Sequence, residues 1–378
     1  MRKLFRYLRN LRFRYQPLIA VRVYKERLLH NLRIFQQKAP RCKVAPVLKS
    51  NAYGHGLIPI AKVLDKEDIA FLVVDSYFEA LMLRNEEVKS NILIIGFTTQ
   101  ENIYASTLRN AAFAIISLNE LRELSHGLKS KRRFHLKIDI GLHRQGILSN
   151  EIEEAIALIQ NNSNIILEGA CSHFADAGNP DTSFTFKQIK QWNEIVARLK
   201  KTFPAIEYYH LAATAGTAYA DKIDANVSRV GRGLYGFTVG PVRELDLQPV
   251  LEMQSIITSV KTIGPGEGIG YGLTYKTTRH TKIATVPVGY FEGVDRRLSN
   301  IGFLKCKGVF CQIIGMVTMN ITTIDVSNVP EVKIGDPVSI ISIYREDKNS
   351  ADNMAELCHT LPYEILVHIP QHLRRTVV

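Results

Sequence analysis

The strongest constraint on the fold is a regular alternation of short apolar runs with stretches of helical length. Eight such runs, rich in aliphatic and β-branched residues, follow one another before residue 232. Because strands that alternate with helices form parallel sheets, this pattern favours a (β/α)8 barrel of the TIM type over an open doubly wound sheet. The predicted strands are 43–48, 69–75, 91–96, 111–117, 134–140, 165–173, 206–212 and 227–231.

The pattern changes near residue 245. From there the runs are strand-like and separated by Gly and Pro, as in SIITSVKTIGPGEGIG, and few helical stretches intervene before the end of the chain. Such punctuation is typical of antiparallel sheets. We therefore predict an α/β chain in three parts: a basic extension over 1–16, a barrel over 17–245, and a mostly antiparallel β domain over 246–378.

Positive charge is concentrated in residues 1–16 (MRKLFRYLRNLRFRYQ), which contain no acidic residue and supply a large part of the net charge of +12. A basic amphipathic helix can lie on an anionic membrane surface. We favour instead a short helix packed on the body of the protein, or a basic tail. The chain has no helix-turn-helix, RRM-like or zinc-finger pattern, so we predict no nucleic-acid partner.

The cysteines are odd in number and show no CxxC spacing. This argues against a zinc ribbon or a disulfide framework, and it suits a reducing cytoplasm. We predict no metal site. No apolar run reaches the roughly 18 residues of a membrane helix, and no cleavable apolar leader follows the first residues. The cysteines are Cys42, Cys171, Cys306, Cys311 and Cys358.

The sharpest local motif is the run PVLKSNAYGHG, which ends at Gly56 and contains Lys49 at the carboxyl end of the first predicted barrel strand. Catalytic groups of such barrels emerge at that end of the strands. Shielding from water would lower the pKa of the Lys49 amine and favour a Schiff base with an aldehyde. Taken alone, a lysine in this place is more often a solvated residue at the rim.

The run K-x-N-A-Y-G-H-G resembles the cofactor-lysine signature of the alanine racemases, and similarity to that family extends over nearly all of the chain after residue 17. The resemblance implies that Lys49 carries pyridoxal 5′-phosphate (PLP) and later acts as one of two catalytic bases. It also implies that Tyr53 contacts the cofactor phosphate.

A second segment, Lys137 to Gly146, resembles the family pattern K-x-D-x-G-x-x-R-x-G. In the family the arginine, here Arg144, reaches the substrate carboxylate. The planar guanidinium group can donate two hydrogen bonds to a carboxylate. The lysine, here Lys137, orients that arginine and is carbamylated in many members. Without the resemblance, the two would be interpreted as a surface lysine and a loop arginine.

The ends of the later barrel strands carry further matches. His173 and His210 correspond to two histidines of the family, although a lone histidine at a strand end is usually structural. Arg229 matches the arginine that faces the pyridine nitrogen of PLP; because a guanidinium does not release its proton, that nitrogen stays unprotonated. The positions that match the phosphate site are Thr214, Gly231 and Arg232.

In the β domain, Gly268-Ile-Gly-Tyr271-Gly resembles the family segment whose tyrosine crosses a homodimer interface into the partner's barrel. Tyr271 is thereby expected to act on the substrate face opposite Lys49. A phenol with a pKa near 10 needs help to act as a base at neutral pH, and the resemblance implies a relay of Tyr271, His173, Arg229 and His210. The backbone N–H of Met319 is expected to meet the substrate carboxylate.

Several positions depart from the family pattern. Asn320 and Glu292 each stand where Asp is usual, Ala213 replaces a usual Asn, Thr214 a usual Ser, and Gln371 lies where an aromatic phosphate contact is common. These changes bear on substrate specificity more than on racemisation.

The resemblance implies a cytoplasmic, homodimeric isomerase that interconverts L- and D-alanine in the biosynthesis of D-alanine, a peptidoglycan precursor. The alternatives are a racemase of serine or another amino acid, a related decarboxylase, a non-catalytic PLP-binding protein, and a scaffold at a membrane surface. The usual cysteine-aspartate signature of the decarboxylases is not apparent around Cys358, and a non-catalytic carrier would consist of the barrel alone.

Overall fold

A computed structural model describes residues 16–378 of the chain. The described part divides into two compact units. One comprises Tyr24–Val250 with Val377–Val378, and the other comprises the described residues up to Val23 with Leu251–Thr376. The basic extension predicted over 1–16 lies, apart from Gln16, outside the described residues.

The strands and helices are numbered here in chain order. The strands are β1 (Ala20–Val23), β2 (Lys43–Pro46), β3 (Leu72–Val74), β4 (Ile92–Ile94), β5 (Ala111–Ile115), β6 (Arg132–Asp139), β7 (Ile147–Leu148), β8 (Ile165–Cys171), β9 (Tyr208–His210), β10 (Val227–Val230), β11 (Leu251–Ile256), β12 (Ser259–Ile263), β13 (Gly268–Ile269), β14 (Tyr275–Lys276), β15 (Thr281–Val286), β16 (Phe303–Cys306), β17 (Val309–Gln312), β18 (Thr322–Asp325), β19 (Pro337–Ile341) and β20 (Arg375–Val377). The α-helices are α1 (Lys25–Lys38), α2 (Lys49–Tyr53), α3 (Leu57–Leu64), α4 (Tyr77–Asn85), α5 (Gln100–Ala105), α6 (Leu118–Gly127), α7 (Ile152–Gln160), α8 (Ser183–Thr202), α9 (Ala351–Leu357) and α10 (Pro362–Val367). Short 3-10 helices cover Ser149–Glu151, Ala215–Lys222, Arg232–Tyr235, Gly240–Val242, Tyr271–Leu273, Tyr290–Glu292 and Arg296–Leu298.

The first unit is a closed barrel of parallel strands in the order β2, β3, β4, β5, β6, β8, β9, β10. A bridge between Val47 and Val73 joins β2 to β3, and β10 returns to pair with β2 in parallel. Backbone hydrogen bonds, among them Asn226 N–H to Tyr209 O at 3.0 Å, link β9 to the β10 edge. The structure confirms the predicted (β/α)8 barrel.

Three helices between the barrel strands, α4, α5 and α6, begin at side-chain caps. At α4 the hydroxyl of Ser76 accepts from the N–H of Glu79 at 3.1 Å, while the Glu79 carboxylate accepts from the N–H of Ser76. Such a reciprocal arrangement satisfies two donors that the first turn leaves without intrahelical partners. At α6 the hydroxyl of Ser117 accepts from the N–H of Glu120 at 3.2 Å, while the Glu120 carboxylate accepts from the N–H of Ile116 at 2.7 Å. These caps fix where the chain turns from strand to helix, and thereby the loops between them.

The second unit is mainly antiparallel, as predicted. Its largest sheet has six strands in the order β17, β16, β19, β11, β1, β20, and a second sheet has the order β12, β15, β18. The strand β1 precedes the barrel in sequence, yet it pairs antiparallel with β11. The chain passes from one unit to the other at three places: between Val23 and Tyr24, between Val250 and Leu251, and between Thr376 and Val377.

All five cysteines are buried free thiols. Within residues 16–378, no helix is long and apolar enough to span a bilayer.

Candidate functional site

Lys49 leaves the barrel at the carboxyl end of β2, as predicted, and begins an unusual turn. The four residues from Ser50 to Tyr53 have φ between 53° and 56°, so α2 is a left-handed turn made of non-glycine residues. Each such residue costs about 1–2 kcal/mol relative to the right-handed form. The N–H of Ala52 donates to Leu48 O at 2.7 Å, and the side-chain oxygen of Asn51 accepts from Leu57 N–H at 2.9 Å. These bonds hold the conformation that places Lys49 and Tyr53 beside the end of β10.

Tyr53, Gly231 and Thr214 converge at one place. A Cβ atom added to Gly231 would lie 2.5 Å from the hydroxyl oxygen of Tyr53, so only glycine leaves room for that hydroxyl. The hydroxyl of Thr214 accepts from the N–H of Gly233 at 3.2 Å, at the start of the 3-10 helix that contains Arg232. Two hydroxyl groups and a turn of backbone therefore line a small cradle of hydrogen-bonding groups.

Arg229 is buried on β10 and is the centre of a polar network. Its Nη1 atom lies 2.5 Å from Nδ1 of His210, and its Nη2 atom lies 3.2 Å from Nδ1 of His173. It also donates to the backbone carbonyls of His210, Ser172 and Leu211. The network predicted from His173, Arg229 and His210 is thus present within the barrel.

The directions of these hydrogen bonds fix the imidazole tautomers. A guanidinium only donates, so Nδ1 of His210 accepts and its proton lies on Nε2. That Nε2 atom lies 2.7 Å from Nδ1 of His135, which must accept in turn, and Nε2 of His135 lies 3.3 Å from the Glu168 carboxylate. A directed chain of hydrogen bonds therefore runs from Arg229 through two neutral imidazoles to Glu168.

The charge states agree with this assignment. Burial lowers the pKa of His210 well below its ordinary value, and burial also lowers the pKa of His135. Burial raises the pKa of Glu168, but hydrogen bonds from His135 and Arg133 outweigh it and hold that pKa below its usual value. Both imidazoles are therefore neutral at neutral pH, and the carboxylate is charged.

His173 faces a cluster of cations. Burial, followed by the charge of Arg229, lowers the pKa of His173 to about 3, and Arg144, Lys137 and Lys49 add to the shift. Because Arg229 donates to Nδ1 of His173, the neutral ring carries its proton on Nε2. The same end of the barrel thus combines four positive side chains with a neutral imidazole, and a site of this kind attracts anionic groups.

Lys137 on β6 is partly buried, and its amine donates to Oε1 of Gln145 at 2.8 Å. Burial lowers the pKa of this amine, and nearby Arg144 and Lys49 lower it further. Arg144 is exposed on the loop that follows β6. The predicted pair of Lys137 and Arg144 is therefore accompanied by an amide, Gln145, which was not among the predicted site residues.

The second unit holds the remaining predicted residues, Tyr271 and Met319, on exposed turns. The side chain of Tyr271 is 77% exposed and that of Met319 is 56% exposed. Glu292 is buried in the same unit, and its carboxylate accepts from the side-chain amide of Asn320 at 2.7 Å. Two of the departures noted in the sequence are therefore in direct contact. Gln371 is exposed.

His135 and Glu168 were not predicted as site residues, although a signal existed. His135 lies two positions before Lys137 on β6, so both side chains leave the same face of the strand. Gly169 on the neighbouring strand β8 makes room for the imidazole, since an added Cβ would lie 2.5 Å from Nδ1 of His135. Because side chains alternate along a strand, the position of Lys137 could have indicated that His135 faces the same side. Nothing in the sequence pattern indicated Glu168.

Comparisons with known proteins agree with the resemblance. Residues 23–239 match the family model described as alanine racemase, N-terminal domain, and residues 250–377 match alanine racemase, C-terminal domain. Alanine racemase 1 of Caldanaerobacter subterraneus subsp. tengcongensis is 33% identical over 362 residues, covering 94% of this chain and 93% of the relative. Alanine racemase of Methylacidiphilum infernorum is 31% identical, covering 92% of this chain and 89% of the relative.

Solved structures give the same result. The alanine racemase of Clostridium difficile 630 superposes with a TM-score of 0.88 at 29% identity, covering 97% of both chains. The alanine racemase of Bacillus anthracis with bound L-Ala-P superposes with a TM-score of 0.87 at 27% identity, covering 97% of this chain and 96% of that one.

Proposed function

The chain belongs to the alanine racemase family, and from this premise we propose that it is a PLP-dependent isomerase that interconverts L- and D-alanine by a two-base mechanism. The observation that carries the proposal is the position of Arg229, a buried permanent donor held between His173 and His210 on the strand beside the Lys49 strand. Such a donor suits a cofactor whose ring nitrogen must remain an acceptor.

The residues at the end of the barrel fit PLP. Tyr53 and Thr214 supply hydroxyl groups around a space that a Cβ on Gly231 would fill, and the adjoining 3-10 turn at Arg232 adds backbone donors of the kind that bind phosphate. Lys49 would hold the cofactor at the end of β2. When bound, PLP withdraws electrons from an attached amino acid and acidifies its Cα–H bond.

Two groups on this chain exchange the proton. The phenolate oxygen of Tyr271, from a second copy of the chain, would take the Cα proton of L-alanine and become a phenol, and the protonated amine of Lys49 would give a proton to the opposite face and become a neutral amine; the reverse reaction exchanges these roles. Because an ordinary phenol is a weak base at neutral pH, His173 lowers the barrier by presenting its Nε2–H to the phenolate. Arg229 holds His173 in that tautomer by donating to Nδ1.

The substrate carboxylate is assigned to Arg144 and to the backbone N–H of Met319. Lys137 positions Arg144, and burial lowers the pKa of its amine below the ordinary value, which favours reaction with carbon dioxide because only an uncharged amine is nucleophilic. We therefore assign Lys137 as the carbamylated lysine, with the carbamate oxygens accepting from Arg144.

Three further assignments complete the proposal. The active enzyme is a homodimer in which Tyr271, whose side chain is 77% exposed, acts in the site of a second copy. It functions in the cytoplasm, a location that five buried free thiols suit. Its product, D-alanine, enters peptidoglycan precursors.

Chiral chromatography of the PLP-saturated protein incubated with L-alanine tests the proposal. We expect D-alanine from the wild type and none from Lys49→Ala. Tyr271→Phe should reduce turnover in both directions by at least about 100-fold, since it removes one of the two bases, while Tyr275→Phe on the neighbouring strand should remain active.

The proposal is wrong if the wild type, with a PLP absorption band that Lys49→Ala abolishes, produces no D-alanine. Parallel incubations with L-serine would then show whether another amino acid is the substrate.

A further inference from the structure

Two turns of the second unit are joined by a side-chain hydrogen bond between residues far apart in sequence. Nδ2 of Asn320 donates to Oε1 of Glu292 at 2.7 Å. Both residues stand where the family usually has aspartate. A pair of carboxylates can only accept hydrogen bonds, whereas an amide beside a carboxylate supplies a donor. The two departures are therefore complementary in chemistry as well as adjacent in space.

The Glu292 carboxylate is buried and has a donor for each oxygen. Oε2 accepts from the backbone N–H of Gly289 at 2.8 Å, and Oε1 accepts from Asn320. A buried carboxylate without such donors is strongly disfavoured. Asn320 is thus one of two groups that stabilise Glu292 in this position.

The same two segments also make backbone contacts. We call residues 289–293 the Gly289 turn and residues 317–321 the Met319 turn. The N–H of Tyr290 donates to Thr318 O and the N–H of Phe291 donates to Met319 O, each at 3.0 Å. The backbones approach so closely that a Cβ on Gly289 would lie 2.1 Å from Thr318 O. The Asn320–Glu292 bond therefore holds together two turns that are already in register.

We propose that Asn320 and Glu292 are a positioning pair that fixes the Met319 turn and so sets the affinity for the substrate carboxylate. This inference rests on the proposed function, in which the backbone N–H of Met319 meets that carboxylate. Met319 is 56% exposed, so its own side chain contributes little packing to hold the turn. Three hydrogen bonds join this turn to the Gly289 turn, and one of the three is the side-chain pair; Ser299 Oγ also accepts from Val317 N–H at 3.0 Å.

Asn320→Asp tests the pair by replacing its donor with a second carboxylate. Two carboxylates at this distance repel unless they share a proton. We expect KM for L-alanine to rise about tenfold or more, with kcat within about twofold, because a charge-assisted hydrogen bond is lost from the substrate-binding turn. Hydrogen exchange at the N–H groups of Tyr290 and Phe291 should accelerate at least about tenfold as the two turns separate.

The double variant Glu292→Gln/Asn320→Asp provides the rescue. The new amide at position 292 can accept from Gly289 N–H through its oxygen and donate to the new carboxylate through its nitrogen, which restores both bonds with the polarity of the pair reversed. We expect KM and amide exchange to return to within about threefold of the wild type. Asn328→Asp, which adds the same charge on an exposed loop of this unit, should change neither.

Unchanged KM and unchanged amide exchange in Asn320→Asp would overturn the inference, as would a double variant no better than the single one. The amide-exchange measurement does not depend on racemase activity. If the wild type proves inactive, the proposed function fails, and exchange at Tyr290 and Phe291 still decides whether the pair holds the turns together.

Discussion

Nε2 of His210 lies 2.7 Å from Nδ1 of His135, and this contact connects a buried guanidinium to a carboxylate. Arg229 has two imidazoles and three carbonyls as its acceptors within residues 16–378. Hydrogen bonds connect Arg229 to the negatively charged carboxylate of Glu168 through His210 and then His135. The chain of hydrogen bonds thus orients Arg229 without placing a carboxylate against it, which would reduce its positive field at the cofactor ring.

His135→Leu should reveal what this chain of hydrogen bonds contributes to the stability of the protein. The substitution leaves the Nε2–H of His210 buried without an acceptor, and it removes the donor to Glu168. We expect the free energy of unfolding to fall by about 2–4 kcal/mol. Glu168→Gln, which retains an acceptor for His135, should cost only about 1 kcal/mol. Denaturant unfolding measures both.

Arg133→Gln is the matched control for these variants, because Arg133 pairs with Glu168 from the solvent-exposed side. Exposed ion pairs contribute about 0–1 kcal/mol. A loss for His135→Leu no larger than that for Arg133→Gln would show that the directed chain of hydrogen bonds is not maintained in solution.

The buried histidines should also make stability depend on pH. In the unfolded chain, histidine titrates near about 6.5, whereas burial, followed by Arg229, lowers the pKa of His173 to about 3 in the folded protein. Between these values the unfolded chain binds a proton that the folded chain does not. The contribution of His173 is therefore complete above about pH 6.5 and is lost as the pH falls towards about 3.

Each such histidine changes the free energy of unfolding by about 1.4 kcal/mol per pH unit in that window. Between pH 6 and pH 4, His173→Gln should reduce the slope of the free energy of unfolding against pH by the equivalent of about one bound proton. Unfolding at a series of pH values measures this slope. An equal slope in His173→Gln and the wild type would mean that His173 is protonated in the folded state.

The barrel could be predicted from the sequence because the spacing of its apolar runs and the residues between them are local properties. Lys49, Arg229 and the two strand-end histidines could be proposed as site residues because they lie in segments that resemble those of the family. The pairing of β1 with β11 depends on residues more than 200 positions apart, such as Val21 and Met253, and no local pattern encodes it. The hydrogen bond between Asn320 and Glu292 could not be predicted for the same reason. Each residue departs visibly from the family pattern, but only the folded structure shows that the two side chains are in contact.

Burial lowers the pKa of the Lys137 amine, and carbamylation of this amine can be tested directly. Because burial and neighbouring cations favour the uncharged amine, we expect protein equilibrated with 13C-bicarbonate to show a carbamate carbon resonance in the NMR spectrum at pH 8. The resonance should weaken as the pH falls, since protonation removes the nucleophile. Lys137→Arg should lack it.

Lys222→Arg offers a control, because Lys222 lies over the ring of Phe186 in the same unit and is not part of the cation cluster. A resonance that persists in Lys137→Arg would assign the carbamate to another lysine. If wild-type protein gives no resonance, the Gln145 amide is the partner that Lys137 retains in solution.

Gly231→Ala should weaken cofactor binding without unfolding the barrel. The added Cβ would lie 2.5 Å from the Tyr53 hydroxyl oxygen, so the phenol must move away from the proposed phosphate cradle. A lost hydrogen bond to a charged group corresponds to about a tenfold to hundredfold loss of affinity. Titration of the apoprotein with PLP, followed by its absorption band, measures the change.

A second substitution separates displacement of Tyr53 from a general disturbance of the turn. In a Tyr53→Phe background the hydroxyl is already absent, so adding Gly231→Ala should cost less affinity than it does in the wild type. Gly264→Ala provides the control for the methyl group itself, because a Cβ there meets nothing within 4 Å. If the two Gly231→Ala effects are equal, the clash with the Tyr53 hydroxyl does not determine PLP affinity, and the glycine is required for the backbone of the 3-10 turn instead.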